Sequence, residues 1–168
     1  MGGFCEDFDP VLRCGDRRYH VGPAVLGDLP AVVELLRDDS LGVGREGADL
    51  GTYQRAFVEI EQDPRNFLVV LRDADGVIAA TMQLTLIPGL SRGGATRLQI
   101  EAVRVADRHR GIGLGTALFT WAHEHGRRHG ARLAQLTTDK ARPEAHRFYA
   151  ALGYQTSHEG LKLDLATR

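Results

Sequence analysis

One stretch, Gln99 to His125, constrains this chain more than any other. It reads Gln-Ile-Glu-Ala-Val-Arg-Val, then Ala-Asp-Arg-His, then Arg-Gly-Ile-Gly-Leu-Gly, then Thr-Ala-Leu-Phe-Thr-Trp-Ala-His-Glu-His. Ile100, Ala102, Val103 and Val105 are apolar and partly β-branched, the character of a largely buried strand. Leu114, Ala117, Leu118, Trp121 and Ala122 fall at i, i+3, i+4, i+7 and i+8, the stripe of an amphipathic helix. Between them Gly111, Gly113 and Gly115 let the backbone turn tightly and approach a ligand closely. The first turn of a helix offers N–H groups that no carbonyl of its own can take, and a partial positive charge. The turn is therefore a candidate phosphate cradle.

Two familiar phosphate motifs do not fit. A P-loop ends in Gly-Lys-Ser/Thr, and Leu114-Gly115-Thr116 has no lysine. A dinucleotide fingerprint needs Gly-x-Gly-x-x-Gly, and the sixth position from Gly111 is Thr116. The alternative is a strand–turn–helix with no ligand. Three alternating glycines beside an arginine are costly for an ordinary helix start, which weighs against it.

The 168 residues are expected to form one domain with its own core, preceded by an extension over residues 1–16 that is poorly ordered. The net charge of −1 argues against bulk electrostatic binding to nucleic acid or to an anionic membrane. No run of about 18 apolar residues suggests a membrane span. The acidic first residues do not read as a secretory signal, and Glu6 stands where a myristoylation site wants serine or threonine. Cys5 and Cys14 lack zinc or disulfide-framework spacing. A cytoplasmic location is the default expectation.

In chain order, a strand is expected from Arg17, then a helix capped by Asp28 with Leu29, Val32, Val33 and Leu36 inward. A glycine-rich loop spans Asp38 to Gly47. A second helix follows, with Leu50, Tyr53, Phe57 and Ile60 inward. Phe67–Leu71 and Val77–Ile87 read as antiparallel strands, and Pro88 to Ala95 as a flexible loop. After the Gln99 unit come a strand at Leu133, a helix from Pro143 and two closing strands, Tyr154–Ser157 and Leu161–Leu165. The count is about seven strands and four helices: an α/β fold with helices on both faces of a mixed, mostly antiparallel sheet.

Arg110-Gly-Ile-Gly-Leu-Gly115 after a strand, with Phe148-Tyr149-Ala-Ala-Leu-Gly153-Tyr154 further on, resembles the GCN5-related N-acetyltransferase (GNAT) family over roughly residues 17–165. The resemblance implies a splay between the strand ending near Val105 and the strand beginning near Leu133, with acetyl-CoA in that cleft and no metal. It implies that the segment Arg110–Thr116, with Ile112 and Leu114 among its residues, holds the pyrophosphate. Backbone groups of Val103 and Val105 would pair with the pantetheine arm, and the Val103 N–H would polarise the thioester carbonyl. Leu136-Thr-Thr, Arg142-Pro-Glu-Ala-His-Arg-Phe-Tyr149 and Ser157-His158 are similar to the C-terminal part of aminoalkylphosphonate N-acetyltransferases. Many family members carry asparagine where this chain has Arg142, so an arginine here is expected to meet an anionic substrate group or a CoA phosphate. A homodimer is compatible with the resemblance.

The chemistry follows from the acceptor. An alkylamine with a pKa near 10 arrives protonated, and freeing its lone pair at pH 7 costs roughly 4 kcal/mol. Glu101, on the cleft strand, is the candidate general base, directly or through a water. Alternation is expected to put it on one face with Val103. A plain strand-face carboxylate is its other reading. Tyr149 resembles the family's general acid for the leaving thiolate, with a core tyrosine as its alternative. His123, His125 and His129 are expected to be solvated, and Arg104, Arg108 and His109 lie close to the phosphate turn. The expected function is direct acetyl transfer from acetyl-CoA to the primary amine of a small molecule. Its rivals are a protein or peptide N-terminal acetyltransferase and a non-catalytic CoA sensor.

Overall fold

The computed structural model describes residues 3–38, 47 and 49–165. The chain divides into two compact units, residues 1–135 and residues 136–168. In the first unit the elements run β1 (Val11–Cys14), β2 (Arg17–Pro23), α1 (Leu29–Arg37), α2 (Leu50–Gln62), β3 (Asn66–Arg72) and β4 (Ile78–Ile87). They continue with α3 (Ser91–Gly94), β5 (Thr96–Val105), α4 (Leu114–Arg128) and β6 (Ala131–Gln135). The six strands form one sheet in chain order, antiparallel except for the β5–β6 pair. The α4 crossover supplies the length that a parallel pair requires.

Register shows how the helices cover both faces. Val70 lies opposite Thr81 and Leu68 opposite Gln83. Val70 and Leu68 cluster with Leu29 and Val32 of α1 and Phe57 of α2. One residue out of phase, Phe67 lies opposite Leu84 and Leu98 opposite Leu86. Phe67 meets the Trp121 ring of α4 at 6.1 Å, and a Cβ on Gly126 of α4 would stand 2.7 Å from Leu98. Odd and even positions of β4 thus face different helices, as a strand's period of two demands.

The structure corrects four local expectations. The described residues of the expected extension, 3–16, are not loose. Leu12 and Cys14 point inward from β1, and Phe4 stacks beside His125 with centroids 4.7 Å apart. The alternation Val11–Cys14 was long enough to pair once β2 lay beside it. The expected strands Tyr154–Ser157 and Leu161–Leu165 do not form, so the sheet has six strands rather than about seven. Asp28 precedes α1 without capping it, because its carboxylate takes the Val25 N–H at 2.8 Å and Arg72 at 2.7 Å. The Pro88–Ala95 loop holds one irregular helical turn, with Arg92 at φ 54°. Except for Asp38 and Gly47, the expected loop from Asp38 to Gly47 lies outside the described residues.

The second unit contains α5 (Pro143–Ala151), entered by Pro143 in its first turn and followed by Gly153 at φ 90°. Both ends follow the proline-in, glycine-out asymmetry of helices.

Candidate active site

The site is built on the end of β5. Pairing of β5 with β6 stops at Gln99 and Gln135, and β5 runs on to Val105. From Ile100 to Val105 no strand among the described residues pairs with its outer edge. On the other edge Glu101 opposes Gln83 and Arg104 opposes Thr81. Ala102 and Val103 therefore share the single residue Met82. This is a β-bulge, and Ala102 takes φ 52° to make it. Backbone held in that region without glycine is strained and concentrates at functional positions.

The bulge corrects the expected alternation. Glu101 shares a face with Arg104 rather than with Val103, because Gln83 and Thr81 lie two apart on β4. That face is the one under α1 and α2, and Glu101 is solvent-exposed on it. The main-chain oxygens at the strand end are held by arginines. Arg104 Nη1 donates to Val103 O at 2.8 Å, and Arg110 Nε donates to Val105 O at 2.9 Å.

The glycine turn follows at once. Gly111 and Gly113 have φ 73° and 87°, left-handed values that an L side chain would resist. Gly113 is the N-cap of α4, and no side chain caps that end. Gly111, Ile112 and Gly113 are exposed, as is Thr116, while Leu114 plugs into the core. Open amides at an uncapped helix start suit a diphosphate, so the residues present fit acetyl-CoA. The turn is braced from β1, where Cys14 Sγ donates to Ile112 O at 3.1 Å.

Arg110 does not spread over the turn. Beyond Val105 O it meets the Asp38 carboxylate at 3.0 Å and pairs with Asp107. In the second unit Tyr149 lies on α5, its ring 5.4 Å from Phe148 and 6.0 Å from Tyr154. Arg142 is the residue before α5, its N–H donating to Asp139 O at 3.1 Å. A cavity of about 470 Å³ lies against β1 and β2, lined by Arg13, Arg18 and Asp73 among others. It contains none of the residues expected to bind acetyl-CoA or to catalyse.

The match to known proteins agrees with this architecture. Residues 29–154 match the model of the acetyltransferase (GNAT) family. The chain belongs to the GNAT family. It is an N-acetyltransferase that uses acetyl-CoA. It is 33% identical over 113 residues to an aminoalkylphosphonate N-acetyltransferase of Salmonella typhimurium, covering 66% of this chain and 70% of that protein. Among solved structures, a transcriptional regulator from Bacillus halodurans C-125 is 42% identical, with a TM-score of 0.82 over 88% of this chain and 99% of the other. A putative acetyltransferase from Agrobacterium tumefaciens is 25% identical, with a TM-score of 0.73 over 86% and 98%.

Several side chains of this acetyltransferase depart from their expected settings. His125 is not solvated. It is fully buried, stacked on Trp121 at 5.1 Å, and its Nε2–H donates to Phe4 O at 2.8 Å. Burial, with the neighbouring His129, lowers its pKa to about 4. Burial also lowers His123. His109 is buried beside the turn, its Nδ1 3.0 Å from Tyr19 Oη. Arg108 joins the same network through Asp73 at 3.2 Å. These two residues therefore support the turn from behind. The Tyr154 phenol is pushed upward by burial, and then by Tyr149. Both cysteines are free thiols, and no helix among the described residues is long and apolar enough to cross a membrane. Sequence reading missed the bulge at Ala102. Only a register against β4 reveals it, since alanine carries no signal for positive φ.

Proposed function

We propose that this acetyltransferase moves the acetyl group of acetyl-CoA directly to the primary amine of a small molecule. The observation that carries the reading is the free edge of β5 beside an uncapped, glycine-built helix start. A strand edge pairs with the amides of a pantetheine arm, and a helix N-terminus takes a diphosphate. Val103 and Val105 supply the edge, and the segment Arg110–Thr116 supplies the amides. The Val103 N–H polarises the thioester carbonyl.

Glu101 takes the ammonium proton. The amine nitrogen then bonds to the acetyl carbon, the carbon–sulfur bond breaks, Tyr149 gives its proton to the departing thiolate, and the second proton leaves the new amide nitrogen to restore the phenol. Transfer is direct because neither cysteine lies on β5. Arg142 favours an acceptor with an anionic group, which accords with the aminoalkylphosphonate substrate in the name of the Salmonella relative.

The test is release of CoA thiol, with product mass, across a panel of primary amines that begins with aminoalkylphosphonates. Saturable release with one of them supports the reading. Acetylation confined to peptide N-termini overturns the small-molecule acceptor, and no calorimetric binding of acetyl-CoA overturns the site itself.

A further inference from the structure

We propose that the cavity against β1 and β2 binds the phosphate monoester of a small organic molecule, with Arg13 and Arg18 on the phosphate. No residue assigned to acetyl transfer lines it, so the proposal goes beyond that reading and stands apart from it.

The pairing of the two strands brings the arginines together. Arg13 lies directly opposite Arg18, and Val11 opposite His20, and all four line the cavity. They share one face of the hairpin. Leu12 and Cys14 take the other face and are buried there, where Cys14 Sγ donates to Ile112 O of the glycine turn. The arginines are therefore turned away from the amides that suit the CoA diphosphate. Every lining residue lies between Asp9 and Ala74 in sequence, within the first unit.

Like charges directly opposite each other destabilise an antiparallel pair, and an anion between them reverses the sign. No carboxylate supplies that charge. Among the described residues neither arginine forms an ion pair. Asp73, in the cavity wall, takes the Asp75 and Val77 N–H groups on one oxygen and Arg108 on the other at 3.2 Å. Asp9 takes the Val11 N–H at 3.0 Å and lies four residues before Arg13, with Val11 between them. Two guanidinium forks carry the charge and the paired donors that a phosphate dianion requires, whereas one serves a carboxylate. His20 adds a ring N–H on the same face. A volume of about 470 Å³ exceeds a bare phosphate and falls in the range of small-molecule sites. Val11 and Ala74 give the remainder of the ligand an apolar wall.

The test is calorimetric titration of the full chain with phenyl phosphate, inorganic phosphate and benzoate at constant ionic strength, with and without saturating CoA. Phenyl phosphate is expected to bind saturably in both cases, several-fold tighter than inorganic phosphate or benzoate. Arg13→Gln and Arg18→Gln should each weaken it about tenfold or more, with circular dichroism and CoA affinity unchanged. Absence of saturable binding at millimolar concentration overturns the proposal, as does binding that either variant retains in full. Binding that CoA displaces also overturns it, because the phosphate then occupies the glycine turn. Benzoate as tight as phenyl phosphate overturns the phosphate assignment, and inorganic phosphate as tight as phenyl phosphate overturns the organic one.

Discussion

Arg110 donates from Nε to the main-chain oxygen of Val105 at 2.9 Å, and its outer nitrogen meets the Asp38 carboxylate at 3.0 Å. One side chain thus ties the end of β5 to the end of α1, at the entry to the glycine turn. Arg110→Ala is expected to weaken acetyl-CoA binding about tenfold through loss of turn geometry. The melting temperature should change little, because the side chain is half-exposed and such pairs contribute ~1 kcal/mol or less. Arg110→Lys keeps the charge but not the Nε donor, and should not restore binding. Wild-type affinity of the lysine variant in calorimetry would sink this account.

The strained Ala102 makes a second prediction. Ala102→Val puts a β-branched residue at φ 52° and should cost about 1–3 kcal/mol in urea unfolding. It should also reduce turnover, since a flattened bulge turns Glu101 off its face. Ala102→Gly relieves the strain at the cost of chain entropy, and its stability should stay within ~1 kcal/mol of wild type. A valine variant with unchanged stability would show that the bulge is not strained.

If Glu101 is the base, Glu101→Gln should lower kcat by about 10²-fold or more while acetyl-CoA affinity stays unchanged. Tyr149→Phe should likewise act on kcat. Parallel loss of binding and turnover would instead mean that these residues shape the cleft.

His125 makes stability depend on pH. Its folded pKa of about 4 lies below the ordinary value of 6.5, so on acidification the unfolded chain binds the proton first. The contribution is intact above pH 6.5, falls as pH drops toward 4 and then levels off, for a total loss of about 3 kcal/mol. His125→Gln keeps a donor for Phe4 O without the titration. Urea midpoints measured from pH 7 to pH 4 should fall less steeply in this variant, and identical slopes would refute the assignment.

Gly126 tests the packing of α4. A methyl group there would stand 2.7 Å from Leu98 Cδ2, and Leu98 is buried. Alanine would normally strengthen a helix by ~1 kcal/mol. Here overpacking of about 1–3 kcal/mol should outweigh that gain and lower the thermal midpoint. A rise in the midpoint would mean that Leu98 has room to move.

Much of the architecture was legible because local rules act alone in it. The strand ending at Val105, the glycine turn and the stripe from Leu114 to Ala122 each follow from period and backbone freedom, and they stand where expected. The α1 face reads equally well through Leu29, Val32 and Val33, whereas of the four α2 residues expected inward only Phe57 is buried and Leu50 is exposed. The histidines of α4 did not read well either. His125 lies on the same helical period as Trp121, but its polar ring argues for solvent until the main-chain oxygen of Phe4, 121 residues away in sequence, accepts its hydrogen bond.

Sequence by itself determined most of the secondary elements of the first unit and the glycine turn before α4, because side-chain period and glycine placement act within a few residues. Tertiary structure alone decided three things. It bent β5 at Ala102, since a bulge exists only against a partner strand. It turned residues 11–14 into an edge strand while residues 161–165 form no strand, although both alternate. It committed Arg110 to Asp38, 72 residues away in sequence, as well as to Val105 close by. Pattern sets which face a residue takes, and only the assembled neighbours set what that face meets.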